Sequence, residues 1–281
     1  MNIGIRLHDT APGTLAQRLG FARAQGFSCA HLALSKVVDG FSMTDAPARL
    51  NADMAAEVRE AFDSQEMTCA VLGCYLNLAD PDGEQRLRTR EIYGAHLHFA
   101  SMIGARVVGT ETFANPASRF ECPAPRSEEA FRFFVDCLRS VAQRAEEENA
   151  ILAVEPVWNH IISTPERAER MLDAVSSDHV QIILDAVNLI GPDTVETRDE
   201  IIADAIRRLG DRVRILHMKD LVTEDGKVRS VACGTGMMRY EQLLAFAARQ
   251  DLPMTLEDTK PHNAEAARLY LERVASEHAL I

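Results

Sequence analysis

Short apolar, β-branched runs, each followed by a loop and a longer stretch of helical periodicity, recur along the whole chain. Eight runs stand out: NIGIRL, FSCAHLAL, MTCAVLGC, ARVVGTET, AILAVE, VQIILD, VRILHM and LPMTLE. VQIILD is the plainest, with Val180, Ile182, Ile183 and Leu184 giving a strand buried on both faces that nevertheless ends on the carboxylate of Asp185. Helices are predicted to begin near Thr14, Ala48, Glu84, Ser127, Pro165, Thr197, Tyr240 and Ala264. Thr164-Pro165-Glu166 supplies a capping hydroxyl, a first-turn proline and an early acid, and Ser127-Glu128-Glu129 does much the same. Dividing 281 residues among eight units gives about 35 each, which suits an α/β chain folded as one (β/α)8 TIM barrel. No Pro/Gly/Ser-rich linker interrupts the series, so a single domain is expected over 1–281. A doubly wound open sheet would show the same alternation but usually has five or six strands.

A parallel barrel carries its chemistry where the strands end. The last four runs end in Glu155, Asp185, His217 and Glu257, spaced by 30, 32 and 40 residues, one βα unit each. The four side chains are therefore expected to converge near the barrel axis. Three carboxylates at one point repel and raise one another's pKa unless a cation separates them. Three oxygen donors and one imidazole suit one divalent metal ion, Mn2+ first, with Mg2+, Co2+ or Zn2+ as alternatives, and leave positions open for substrate oxygens.

Composition narrows the partners. The chain is 47% hydrophobic, enough for a full core, and carries 42 acidic against 30 basic residues for a net charge of −12. Without a basic patch that charge disfavours nucleic acid and anionic membranes, and no stretch approaches the ~20 apolar residues of a membrane span. The N-terminus lacks the pattern of a signal peptide, so the expected location is cytoplasmic. The six cysteines, Cys29, Cys69, Cys74, Cys122, Cys137 and Cys233, have neither redox nor zinc-finger spacing and are expected to be small core residues.

The motifs VEPVWNHI, ILDAVNLIG, LHMKD with the later GTGMMRY, and TLEDT resemble the xylose isomerase-like barrel superfamily of sugar phosphate isomerases and epimerases. That group includes ketose 3-epimerases, hydroxypyruvate isomerases and inosose dehydratases, and the resemblance spans all eight units. It implies that Glu155, Asp185, His217 and Glu257 bind one divalent metal and that Glu155 and Glu257 also move protons. One position departs: the epimerases usually carry D-x-x-H, whereas three residues after Asp185 stands Asn188, whose amide hydrogen-bonds a hydroxyl but does not titrate near neutrality.

The expected activity is that of a metal-dependent isomerase or epimerase acting on a ketose or related small sugar through an enediolate. The same chemistry allows a lyase or dehydratase acting on a keto-sugar. A metal-dependent phosphodiester hydrolase would need more metals, extra histidines and a basic groove; a non-catalytic sugar-binding barrel would need no pair of proton-transfer groups. Lys219, Trp158, His160 and Glu111 join Asn188 as substrate-binding candidates, with Lys36 and His8 after the first two strands behind them. The Cys233–Gly236 stretch, CGTG, is read as an ordinary tight turn ahead of an anion cradle, and His96, His98 and His179 as structural. Related barrels often form homo-oligomers.

Overall fold

All eight apolar runs become parallel strands of one closed barrel. In this computed structural model, which describes residues 1–112 and 126–279, the strands are β1 (Ile3–Arg6), β2 (Cys29–Leu32), β3 (Thr68–Gly73), β4 (Val107–Glu111), β5 (Leu152–Glu155), β6 (Val180–Asp185), β7 (Val213–Met218), β8 (Asp220–Glu224), β9 (Lys227–Val231) and β10 (Met254–Leu256). The barrel order is β1-β10-β7-β6-β5-β4-β3-β2, so β10 closes onto β1, and β8 and β9 form a separate two-stranded sheet. The fold is a (β/α)8 TIM barrel.

Helices surround it: α1 (Leu15–Ala24), α2 (Leu34–Val37), α3 (Ala46–Arg49), α4 (Ala52–Asp63), α5 (Gly83–Ile103), α6 (Glu128–Glu147), α7 (Pro165–Val175), α8 (Arg198–Leu209), α9 (Glu241–Gln250) and α10 (Ala264–Glu277). The start signals behave as their chemistry dictates. Thr14 and Gln17 form a capping box, Ser127 accepts from Ala130 N–H, and Thr164 accepts from Arg167 N–H ahead of Pro165. The helix expected near Ala48 is interrupted, because α3 stops at Arg49 and α4 restarts after Asn51, whose side chain caps Met54 N–H. The β8–β9 hairpin is an addition to the eight units. Its signal is LVTEDGKVRS, with Asp225-Gly226 at the turn, both at positive φ (50° and 72°), the pair that a tight hairpin favours.

The apolar core has two parts. Most of it lies between strands and helices, where Phe134 and Leu138 of α6 and Leu184 of β6 are among the buried members. A smaller plug fills the barrel interior: Cys29, Ala70, Val71, Val107, Ala153, Ile183 and Ile215. Cys29, Cys69, Cys74 and Cys233 are buried and Cys137 is half-buried, as expected of packing residues, while Cys122 lies outside the described residues. Burial pushes the Cys29 thiol up to about 12. No helix among the described residues is long and apolar enough to cross a membrane.

Candidate active site

Side chains two residues apart on a strand share a face. Ala153, Ile183 and Ile215 sit in the interior plug, so Glu155, Asp185 and His217 point into the barrel one layer above it. The same step leads from Cys29 to His31, and Glu257 joins the layer from the residue following β10. Glycines on β3 and β4 leave it room: a Cβ on Gly73 would lie 2.8 Å from His31 Nε2, and one on Gly109 would lie 3.0 Å from the Tyr75 hydroxyl.

The four strand-end residues meet. His217 Nδ1 lies 3.1 Å from Glu155 Oε2 and 3.3 Å from Glu257 Oε1. Asp185 is in register with His217 on the adjacent strand, and donor atoms of Glu155, Asp185 and His217 fall within 4.8 Å of one another. A second such group, on the same limit, is His31, His217 and Glu257. Lys219 enters the cluster, with Nζ 2.8 Å from Asp185 Oδ2 and 3.3 Å from Glu257 Oε2. Arg6 Nη1 reaches Glu257 Oε2 at 3.4 Å. Asn188 Nδ2 donates to Glu155 Oε1 at 2.6 Å, and its backbone N–H donates to Asp185 Oδ1 at 3.1 Å. Asn188 therefore orients both carboxylates from the D-x-x-H position.

A divalent ion fits this donor set. Both ring nitrogens of His217 are buried without a hydrogen-bond partner, although two carboxylate oxygens stand within 3.3 Å of Nδ1. Close but unaligned donors are what a shared cation leaves: ligands about 2.0–2.2 Å from one ion lie about 3 Å from each other.

Burial and charge set the protonation states. Burial, reinforced by Glu257, pushes Glu155 up to about 8 against the opposing pull of Lys219 and the Asn188 hydrogen bond. Burial would raise Glu257 too, yet the facing His217, the Lys219 ammonium and the Arg6 guanidinium outweigh it and hold Glu257 well below the usual carboxylate range. Asp185 is pushed up to about 6 by burial, with Lys219 limiting the rise. For Lys219 burial opposes the charge, but Asp185, Glu257 and Glu155 together hold it well above an ordinary lysine. Burial lowers both His31 and His217, against the opposing pull of Glu257.

Above the cluster opens a cavity of about 480 Å3. Glu111, Asn188 and Lys219 line it, and so do His8 and Lys36 on the β1 and β2 side. Burial and then Glu155 push Glu111 up to about 8. Trp158 is placed differently. Its ring packs on Gly191, where a Cβ would be 2.8 Å away, and lies 5.7 Å beneath the Arg126 guanidinium, so it braces the loop after β5. His160 stands 3.8 Å from Glu111 Oε2, behind the cavity wall. His98 pairs with Glu148 at 2.8 Å, and Nδ1 of His96 and of His179 each contact a backbone carbonyl at 2.8 Å, which are structural roles.

The CGTG stretch is closed to an external anion because it already holds an internal one. The Asp220 carboxylate accepts the backbone N–H groups of Leu221, Gly234, Gly236 and Met238 at 2.8–3.0 Å. Three residues in the layer and its wall escaped the strand-end rule. Arg6 ends β1 inside an apolar run, Tyr75 follows β3, and His31 sits in the middle of β2, where a lone histidine between Ala30 and Leu32 is the available signal.

Comparison with known proteins agrees with this architecture. D-psicose 3-epimerase of Enterocloster bolteae is 36% identical over 84 residues, a match covering 29% of this chain and only about a quarter (26%) of the epimerase. The apo structure of Escherichia coli 3-keto-D-glucoside 4-epimerase superposes with a TM-score of 0.74 at 17% identity, covering 97% of this chain and 99% of that one. A xylose isomerase-like TIM barrel protein of Mycobacterium smegmatis, in complex with magnesium, gives a TM-score of 0.70 at 17% identity, covering 97% and 94%. At such identities the two structures share the fold. The model of the family described as "Xylose isomerase-like TIM barrel" matches residues 19–274, and the chain belongs to that family.

Proposed function

We propose that this protein is a divalent-metal-dependent isomerase or epimerase of a ketose or related small sugar, acting through an enediolate. The observation that carries the reading is the pair of buried glutamates flanking His217 Nδ1, at 3.1 and 3.3 Å. Two carboxylates on either side of one site can divide the work of acid and base. One of Glu155 and Glu257 takes the proton from the carbon beside the carbonyl, and the other returns one. Return to the other face of the same carbon is epimerisation, and return to the neighbouring carbon is isomerisation.

The residues that would hold the ion are Glu155, Asp185, His217 and Glu257; when bound, it supplies Lewis-acid stabilisation of the negative charge developing on the substrate oxygens. The Lys219 ammonium keeps Asp185 and Glu257 charged and lines the cavity, within reach of an oxyanion. Asn188 fixes Glu155 through Oε1 and leaves Oε2 to the cluster. Glu111 and the β1–β2 wall receive the remaining hydroxyls. Relatives that act on psicose and on a 3-keto-glucoside support a keto-sugar as substrate.

The test is deuterium incorporation from heavy water into a panel of ketoses with added Mn2+. Exchange at a carbon next to the carbonyl is expected, together with its loss in Glu155→Gln and Glu257→Gln while both variants stay folded. Exchange that survives both substitutions, or none across the panel by Mn2+-loaded protein, would sink the assignment.

A further inference from the structure

Hydroxyls satisfy the neutral groups of the β1–β2 wall but leave one charge there unanswered. Among the described residues, Arg6, Lys36 and Lys219 are the cations that line the cavity. Arg6 is matched by Asp9 at 3.1 Å and Asp258 at 3.0 Å, and Lys219 by Asp185 and Glu257. Lys36, exposed on α2 just after β2, has no ion pair or hydrogen bond among the described residues. Partners were at hand, since Glu111 and Asp258 line the same cavity and acids outnumber bases by 42 to 30 in the chain. His8 completes the corner. Its Nδ1 is buried without a hydrogen-bond partner. Burial, then Arg6 and His31, push His8 down to about 3 despite the pull of Glu257, and Lys36 adds to the fall. An imidazole kept neutral partly by the cations around it reports a positive potential, and it offers a donor N–H without a charge of its own. The ring of His31 is 6.4 Å from that of His8 and 5.3 Å from that of His217, so the corner lies within a short sugar chain of the catalytic cluster.

From this unmatched charge in the cavity wall we propose that the substrate is a keto-sugar acid, whose carboxylate is bound by Lys36 and His8 at the end away from the enolised carbon. This rests on the isomerase reading above and deepens it by naming the substrate class. Two donors match the two oxygens of a carboxylate. A phosphate, with three oxygens and up to two charges, calls on a free arginine fork or a nest of backbone N–H groups. Arg6 is engaged by carboxylates, and the N–H groups of the CGTG stretch are engaged by Asp220.

The test extends the deuterium-exchange panel: each neutral ketose is compared with its terminal carboxylate and its terminal phosphate, using the full chain loaded with Mn2+. KM for the carboxylate is expected to lie at least about 10-fold below that for the neutral sugar, the worth of a hydrogen bond to a charged group. Lys36→Met, at an exposed position, is expected to abolish that preference, and Lys36→Glu to reverse it. Equal KM for acid and neutral sugar, or a preference that survives Lys36→Met, overturns the proposal while the exchange itself upholds the isomerase reading. A phosphate preferred to the carboxylate overturns the choice of anion. No exchange with any of the three forms removes the isomerase reading and this proposal together.

Discussion

Lys219 shows how one side chain offsets the charge crowded into this site. Three carboxylates are buried within a few ångströms of one another, and the ammonium at 2.8 Å from Asp185 and 3.3 Å from Glu257 offsets part of their repulsion. Removing one partner of a buried charge pair typically costs about 3–5 kcal/mol, because the remaining charge keeps its desolvation penalty. Lys219→Met is therefore expected to lower metal-free stability by about that amount in urea unfolding. Saturating Mn2+ should restore more stability to this variant than it adds to the unmodified protein, since the ion supplies the charge that the lysine gave up. Equal stabilisation of the two by Mn2+ would show that Lys219 and the ion do not act on the same carboxylates.

Among the elements, the β8–β9 hairpin is what the barrel plan alone does not explain. It grows from the end of β7 directly after the lysine of the site, and its base is held by the Asp220 carboxylate and four backbone N–H groups. The two glycines of CGTG follow from that clamp. Gly234 adopts φ +80°, and a Cβ on Gly236 would lie 2.2 Å from the Leu221 carbonyl oxygen. Asp220→Ala strands those donors, several of them buried, and is expected to cost about 3 kcal/mol. Hydrogen exchange should show the loss concentrated in residues 220–238. Unchanged protection there would mean that packing, not the carboxylate, holds the hairpin. Ser230 of β9 lines the active-site cavity, so loosening the hairpin should also raise KM.

At the scale of the whole molecule, buried histidines make stability depend on acid. His96 in α5 is 0% exposed, and burial lowers it from 6.5 to about 4 against the favourable contact with the Ile92 carbonyl. Below pH 6.5 the unfolded chain takes up a proton that the folded chain refuses until about pH 4, so stability falls across that window as pH drops, and is retained above it. The window is worth about 3 kcal/mol. The stability difference between pH 7 and pH 4 should therefore be smaller by about that amount in His96→Gln, measured by urea unfolding. An identical acid profile in that variant would place the sensitivity elsewhere.

What the sequence determined by itself was everything that depends on short-range periodicity. Apolar runs separated by helical stretches dictate eight strands, and the alternation of side chains along a strand dictates that Glu155, Asp185, His217 and Glu257 follow inward-facing residues at the same end of the barrel. What only the tertiary structure decided depends on neighbours distant in the chain. His31 interrupts an apolar strand instead of ending it, so no strand-end rule reaches it, and its place beside His217 and Glu257 exists only once β1 and β10 close the barrel. The lysine after His217 becomes the counter-ion of Asp185 through the β6–β7 register, and the glycines after β9 become the shell of Asp220 only when the hairpin folds back. Local sequence fixes which way a side chain leaves its strand. The closure of the barrel fixes which charges it must live beside.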